Sequence, residues 1–171
     1  MEQYVRQLVS IEFLDKKEVI NGFLIDYSDE WILLKNNPVD FIIDGFVLVK
    51  NKNIERIYRD EEHEFTEKVI RLKGLKTNAK DIIPIKDLAS ILDFIDKKYG
   101  LFQISKKSAT SAYLGKLIKL DNEELIIDFL DTKAQFGGEL SFNPEKIRLI
   151  EFDTDYINSL GLVVKNSENK H

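Results

Sequence analysis

Residues 8–34 read LVSIEFLDKKEVINGFLIDYSDEWILL, and residues 101–127, 93 positions further on, read LFQISKKSATSAYLGKLIKLDNEELII. In the first stretch apolar residues alternate along Leu8, Val9, Ile11 and Phe13, and resume at Val19, Ile20, Phe23 and Ile25. Asp15, Lys16 and Lys17 form the polar turn between them. Short alternating runs of β-branched and aromatic residues bounded by Asp, Asn and Gly predict antiparallel strands. Three more follow: Trp31-Ile32-Leu33-Leu34, then Phe46-Val47-Leu48-Val49 with an apolar group Phe41-Ile42-Ile43 before it, then Ile54, Ile57 and Tyr58. The breaks are Asn36-Asn37-Pro38 and Asn51-Lys52-Asn53. A meander of five strands is expected to close into a small barrel, because closure removes unpaired edges.

The offset of 93 holds without a gap across residues 8–60. Leu8 meets Leu101, Ile11 meets Ile104, Gly22 meets Gly115, and Leu24-Ile25 meet Leu117-Ile118. Glu30 meets Glu123, Gly45 meets Gly138, Ile54 meets Ile147, Ile57 meets Ile150 and Asp60 meets Asp153. Shared alternation alone would align any two meanders, but the glycine spacing of 23 retained in both halves favours duplication. Between the halves Ile85, Leu88, Ile91, Leu92, Ile95 and Tyr99 recur at helical spacing, with Pro84 before them and Gly100 after.

The expected organisation is therefore mainly β: two small barrels, residues 1–60 and 101–164, joined through one amphipathic helix over 85–100. Residues 61–84 read as a charged linker with a strand around Val69, Ile70 and Leu72, and 165–171 as a disordered tail. No leader-like apolar segment follows Met1–Arg6 and no run approaches the roughly 18 apolar residues of a membrane span, so the expected compartment is the cytoplasm. The chain has no cysteine, which excludes disulfides, thiol nucleophiles and thiolate metal sites. Its net charge is −5, a field that repels phosphate backbones.

Val9 to Leu34 resembles the first motif of Sm-like domains, with its alternating strand, Asp15 turn, Gly22-Phe23-Leu24 and then Ile32-Leu33-Leu34. Phe46 to Ile54 resembles their second motif, with Lys50 at the arginine position, Asn51 at the glycine and Asn53-Ile54 closing it. SH3-like barrels share much of this pattern. The resemblance implies candidate nucleic-acid contacts at Lys50, Asn51 and Asn53. Sm-like readers line a uridine pocket with an Asp and an Asn from the first motif and the Arg-Gly of the second. Counting from Gly22, those first two positions are Ser28 and Ile32 here, and Asp121 and Leu125 in the second half, whose second-motif positions are Asn143 and Pro144. Neither half keeps the set. Separately, Leu92 to Val163 is similar to an uncharacterised bacterial family, through Gly100-Leu101-Phe102-Gln103-Ile104, Tyr113-Leu114-Gly115 and Ile147 to Asp153, which implies an architecture and no activity.

No residue pattern marks a catalytic, metal or cofactor site. Asp60-Glu61-Glu62-His63-Glu64 has the right side chains for a divalent cation or acid–base work, but consecutive residues diverge and the stretch reads as solvated linker. With His63 and His171 the only histidines, a histidine triad or zinc site is not expected. Lys106-Lys107-Ser108-Ala109-Thr110-Ser111 reads as a turn, or as a weak phosphate grip. Gly137-Gly138 reads as a tight turn or bulge, lacking the residues of a phosphate loop. Asp26, Asp29, Asp40 and Asp44 are assigned no pairing, and Trp31 is expected in the core. The chain is thus expected to be a non-catalytic protein-binding module, with a basic partner suited to its acidic surface and association of copies kept open. Degenerate Sm-like RNA binding, a toxin-neutralising immunity role and an enzyme with scattered acids are the alternatives.

Overall fold

The computed structural model describes residues 1–106 and 111–169. It divides into two units, Met1–Asp87 and Leu88–His171. In the first, β1 (Leu8–Phe13), β2 (Val19–Tyr27), β3 (Trp31–Asn36), β4 (Phe46–Lys50) and β5 (Ile54–Tyr58) pair antiparallel in the order β5-β1-β2-β3-β4, and helix α1 (Glu61–Leu72) follows. The second begins with helix α2 (Leu88–Lys98). Then come β6 (Phe102–Ser105), β7 (Ala112–Leu120), β8 (Leu125–Leu130), β9 (Phe136–Phe142), β10 (Leu149–Phe152) and helix α3 (Asp155–Glu168). Its strand order is β10-β6-β7-β8-β9.

The 93-residue offset carries through the pairing itself. Val9 faces Gly22 as Phe102 faces Gly115, and Leu24 faces Leu34 as Leu117 faces Ile127. Leu33 faces Leu48 as Ile126 faces Ser141, and Ile11 faces Ile57 as Ile104 faces Ile150. Even the irregularity repeats: the register shifts between Leu24 and Asp26 and again between Leu117 and Lys119. The first glycine of each spaced pair has a physical cause here. A Cβ on Gly22 would lie 2.7 Å from the Lys35 carbonyl oxygen, and one on Gly115 would strike the Asp128 carbonyl, the same cross-strand neighbour in each unit.

Expected closure is not met. β5 pairs only with β1 and β9 only with β8, so neither sheet joins its first and last strands by hydrogen bonds. β5 carries Glu55 and Arg56, and β9 the Gly137-Gly138 pair, opposite a register shift between Asp128 and Leu130. Charges and irregular backbone are ordinary ways of protecting an open edge. Trp31, Ile32, Leu33 and Leu34 are buried, as are Phe46 to Val49, and Trp31 is a core residue as expected.

Three sequence expectations are corrected. Residues 61–72 form α1, not a linker with a strand. Asp60 caps it, its carboxylate accepting from the backbone N–H groups of Glu62 and His63. Residues 155–168 form α3, capped by Thr154, so residues 165–168 of the expected tail are helical. The middle helix starts at Leu88; Ile85 lies in the extended segment before it, its carbonyl accepting from Ser28 Oγ at 2.8 Å. No helix of the described residues is long and apolar enough to cross a membrane.

Candidate functional site

Helix α1 brings His63 down onto the sheet of the first unit. Its Nε2 lies 2.6 Å from Ser10 Oγ and its Nδ1 2.6 Å from the Asp60 carboxylate, while Ser10 Oγ donates to Asn21 Oδ1 at 2.5 Å. The bond to His63, with that from the His63 backbone, holds the Asp60 carboxyl below its usual range. Serine, histidine and aspartate in line suggest a hydrolase relay, and the sequence reading of His63 as a solvated linker residue missed the contact. Such a relay needs a serine open to substrate, and here Ser10 Oγ is bonded to Asn21 Oδ1 as well as to His63. Ser10 is also 3% exposed, in mid-strand between β2 and β5. The chain of bonds docks the helix.

A second polar bridge lies one turn on. Glu67 accepts from the Leu8 N–H at 3.0 Å, from Arg59 at 2.7 Å and from Arg71 at 2.8 Å. Burial pushes its carboxyl up, but these donors outweigh it and the net shift is downward. Only Ile70 on this face of α1 is a buried hydrophobe, packed with Leu8 and Phe23.

What α1 shows to solvent is different. Phe65 is 61% exposed and meets Phe41 edge-to-face, ring centroids 6.1 Å apart. Between them opens a cavity of about 390 Å³ lined by Asp40, Phe41, Glu61, Glu62, Phe65 and Thr66. The residues around Phe41, read from sequence as an apolar group, form a shaped loop. Asn37 is buried and donates its side-chain amide to the carbonyls of Asp40 at 2.9 Å and Ile42 at 2.7 Å, with Asp40 in the left-handed region at φ 44°. Val39 and Ile42 are thereby held outward, both about half exposed. The lining joins two aromatic rings with three carboxylates, those of Asp40, Glu61 and Glu62. Lys73 Nζ donates to the Phe41 carbonyl at 3.0 Å, so an ammonium group already sits beside Phe41.

The residues singled out from sequence are committed elsewhere. Asn51 is a staple: its N–H donates to the Glu30 carbonyl at 2.7 Å and its side chain to the Asp29 carbonyl at 3.2 Å. Asn53 takes a left-handed φ of 60° and its carbonyl accepts from Leu14 N–H. Lys50 Nζ lies 5.9 Å from the Trp31 ring centroid. Ser28 accepts from Trp31 N–H, Ile32 and Leu125 are buried, and Asp121 accepts from the backbone of Glu123 and Glu124 while pairing with Lys119. Asn143 caps a single helical turn at Pro144. Lys50 and Asn51 thus lie beside the Ser28–Trp31 turn, while Ile32 is buried in the core. Of the 106–111 stretch, residues 107–110 fall outside the described residues, as does His171; Lys106 lies over the rings of Tyr113 and Phe142.

Among the described residues no group of three or more acidic or histidine side chains could hold a metal ion. The second unit has a cavity of about 470 Å³ beside α3, near Tyr99, Leu101, Ile157 and Gly161. Its wall charges are mixed, Lys116 pairing with Glu168 at 3.6 Å, and they favour no ligand sign. Comparison with protein-family models, with curated proteins and with solved structures found no match to this chain. Nothing in those comparisons points to catalytic activity.

Proposed function

We propose that this protein is a non-catalytic protein-binding module whose docking site is the groove between Phe41 and Phe65. The observation that carries this reading is a lining that combines the rings of Phe41 and Phe65 with the carboxylates of Asp40, Glu61 and Glu62. That chemistry fits a partner segment with one apolar side chain flanked by lysine or arginine. Aromatic faces and carboxylates both attract such cations, and apolar burial adds the affinity that rim charges alone do not supply. We propose further that the two units are duplicated Sm-like or SH3-like sheets. What supports this is the single offset that relates their strand order, their register and the position of the bulge.

The test is a fluorescence-anisotropy titration with a lysine-flanked apolar peptide, against its glutamate-flanked counterpart. Binding of the basic peptide is expected to weaken at least tenfold in Phe65→Ala and in a Glu61→Lys, Glu62→Lys double variant. Equal binding of both peptides, or binding indifferent to those substitutions, would overturn the site. Short oligouridine is expected not to saturate at near-physiological salt; submicromolar binding that survives such salt would put RNA first.

A further inference from the structure

The groove is built from two pieces. Glu61, Glu62, Phe65 and Thr66 come from α1, and Asp40 and Phe41 come from the loop after β3. The loop is seated on the helix. The Phe41 ring meets Phe65, Phe41 and Ile43 pack on the cluster of Leu8, Phe23 and Ile70, and the Phe41 carbonyl accepts from Lys73 Nζ. Phe65, Ile70 and Lys73 belong to α1 or to its C-terminal cap, so lifting the helix removes all three supports of Phe41 at once.

What holds α1 down lies on its other face: His63 against Ser10, Glu67 against the Leu8 N–H and Arg59, and Ile70 as the lone buried apolar residue. None of these three side chains lines the groove. A hydrogen bond within the protein replaces bonds to water, so its net contribution is modest, and one isoleucine is less than the apolar stripe of an ordinary packed helix. Such a helix opens at lower cost than the sheet beneath it. Docking also brings Asp40 beside Glu61 and Glu62, like charges whose repulsion opposes closure and which a cationic ligand relieves. We infer that α1 is a clasp: the groove exists only while the helix is docked, so the inner bonds of His63 and Glu67 set the affinity of the outer groove, and a bound ligand locks the helix onto the sheet. This inference rests on the reading of the groove as a docking site. The coupling is reciprocal. A ligand that binds only the docked form suppresses opening, and its apparent affinity falls with the fraction of molecules whose helix is docked.

Amide hydrogen exchange of the full chain, with and without the lysine-flanked apolar peptide, tests this. Residues 69–72 are the reporters, since they lie beyond Thr66, the last lining residue on the helix, and outside direct shielding by a ligand in the groove. In the free protein their amides are expected to exchange sooner than those of β2 and β3. With free peptide at ten times its Kd they are expected to slow about tenfold, while α3, seated on its own apolar cluster, is unchanged. In the other direction, a Ser10→Ala, Glu67→Ala double variant is altered only at the inner face. It is expected to lose protection in α1 and at least tenfold in peptide affinity, with β2 and β3 still protected. Should the double variant fail to fold, each single substitution serves, affinity falling in proportion to the docked fraction that exchange reports. Phe65-dependent binding that leaves residues 69–72 unslowed would overturn the clasp and leave the docking reading standing. So would a variant without protection in α1 that binds like the wild type. If the peptide does not bind the wild type, both fall.

Discussion

The helix after the fifth strand is fastened to its sheet in opposite ways in the two units. Aligned at their caps, Asp60 and Thr154, the inward positions of α1 and α3 are His63 against Ile157, Glu67 against Gly161 and Ile70 against Val164. On the sheets, Ser10 and Asn21 of the first unit correspond to Gln103 and Leu114 of the second. The first interface is a set of directional bonds, His63 to Ser10 and Glu67 to Leu8 and Arg59. The second is an apolar cluster of Leu101, Leu114, Leu130, Ile157 and Val164. One strand frame accepts either chemistry. The loops diverge in step: residues 131–135 make a tight hairpin, with Asp131 accepting from Lys133 and Gln135 N–H, where the first unit projects Val39 and Ile42. Only the first unit has Phe41 and Phe65 facing each other.

The comparison breaks most visibly if charge is tolerated where the second unit is apolar. Ile157→Asp is expected to destabilise by about 3–5 kcal/mol, as is Leu92→Asp on the buried face of α2, because each buries an unpaired carboxylate. Lys97→Ala, which removes an exposed ion pair with Asp93, is expected to cost less than about 0.5 kcal/mol. Thermal melts settle it, and equal melting temperatures for Leu92→Asp and Lys97→Ala would refute the helix orientation.

In the first unit the corresponding weak point is Glu67. Glu67→Ala leaves the Leu8 N–H without its acceptor and Arg59 with only the Leu8 carbonyl, and is expected to cost about 2–3 kcal/mol. The same residue sets an acid sensitivity. Its folded pKa lies below the ordinary 4.5, and that of Asp60 below the ordinary 3.8. Their stabilisation is therefore complete above those ordinary values and is lost as pH falls through the lower folded ones. Hydrogen exchange should show α1 losing protection before α3 as pH drops below about 4.5, and Glu67→Gln should flatten much of that dependence. Simultaneous loss in both helices would mean the contrast carries no energetic weight.

At Gly161 the expected effect is small and of opposite sign. A Cβ there would meet Leu101 Cδ1 at 3.4 Å, at the edge of ordinary contact, so Gly161→Ala should gain up to about 1 kcal/mol from helix propensity. A loss of stability would show that α3 packs more closely than its neighbours indicate.

These interfaces also explain what could be read from the residues alone. The strands were legible because each sheet buries alternating or continuous apolar runs, and α2 because Ile91, Leu92 and Ile95 carry its buried stripe. Helix α1 was not, since two of its inward positions are His63 and Glu67, leaving Ile70 as its lone buried apolar residue. Helix α3 was hidden by the opposite excess: Leu160, Leu162, Val163 and Val164 surround Gly161 and blur the period. The groove needs Phe41 and Phe65, 24 positions apart, to meet through a loop whose turn depends on Asn37 and Asp40. Local pattern carries no signal for that. The acidity of the chain pointed to a basic partner, but not to the surface that would receive it.

The most direct measurement is backbone amide shift mapping while a lysine-flanked apolar peptide is titrated into the intact protein. Perturbations are predicted to concentrate at residues 39–44 and 61–66, with the corresponding segments 132–137 and 154–159 of the second unit silent. Shifts spread equally over both units, or confined to the second, would contradict the account.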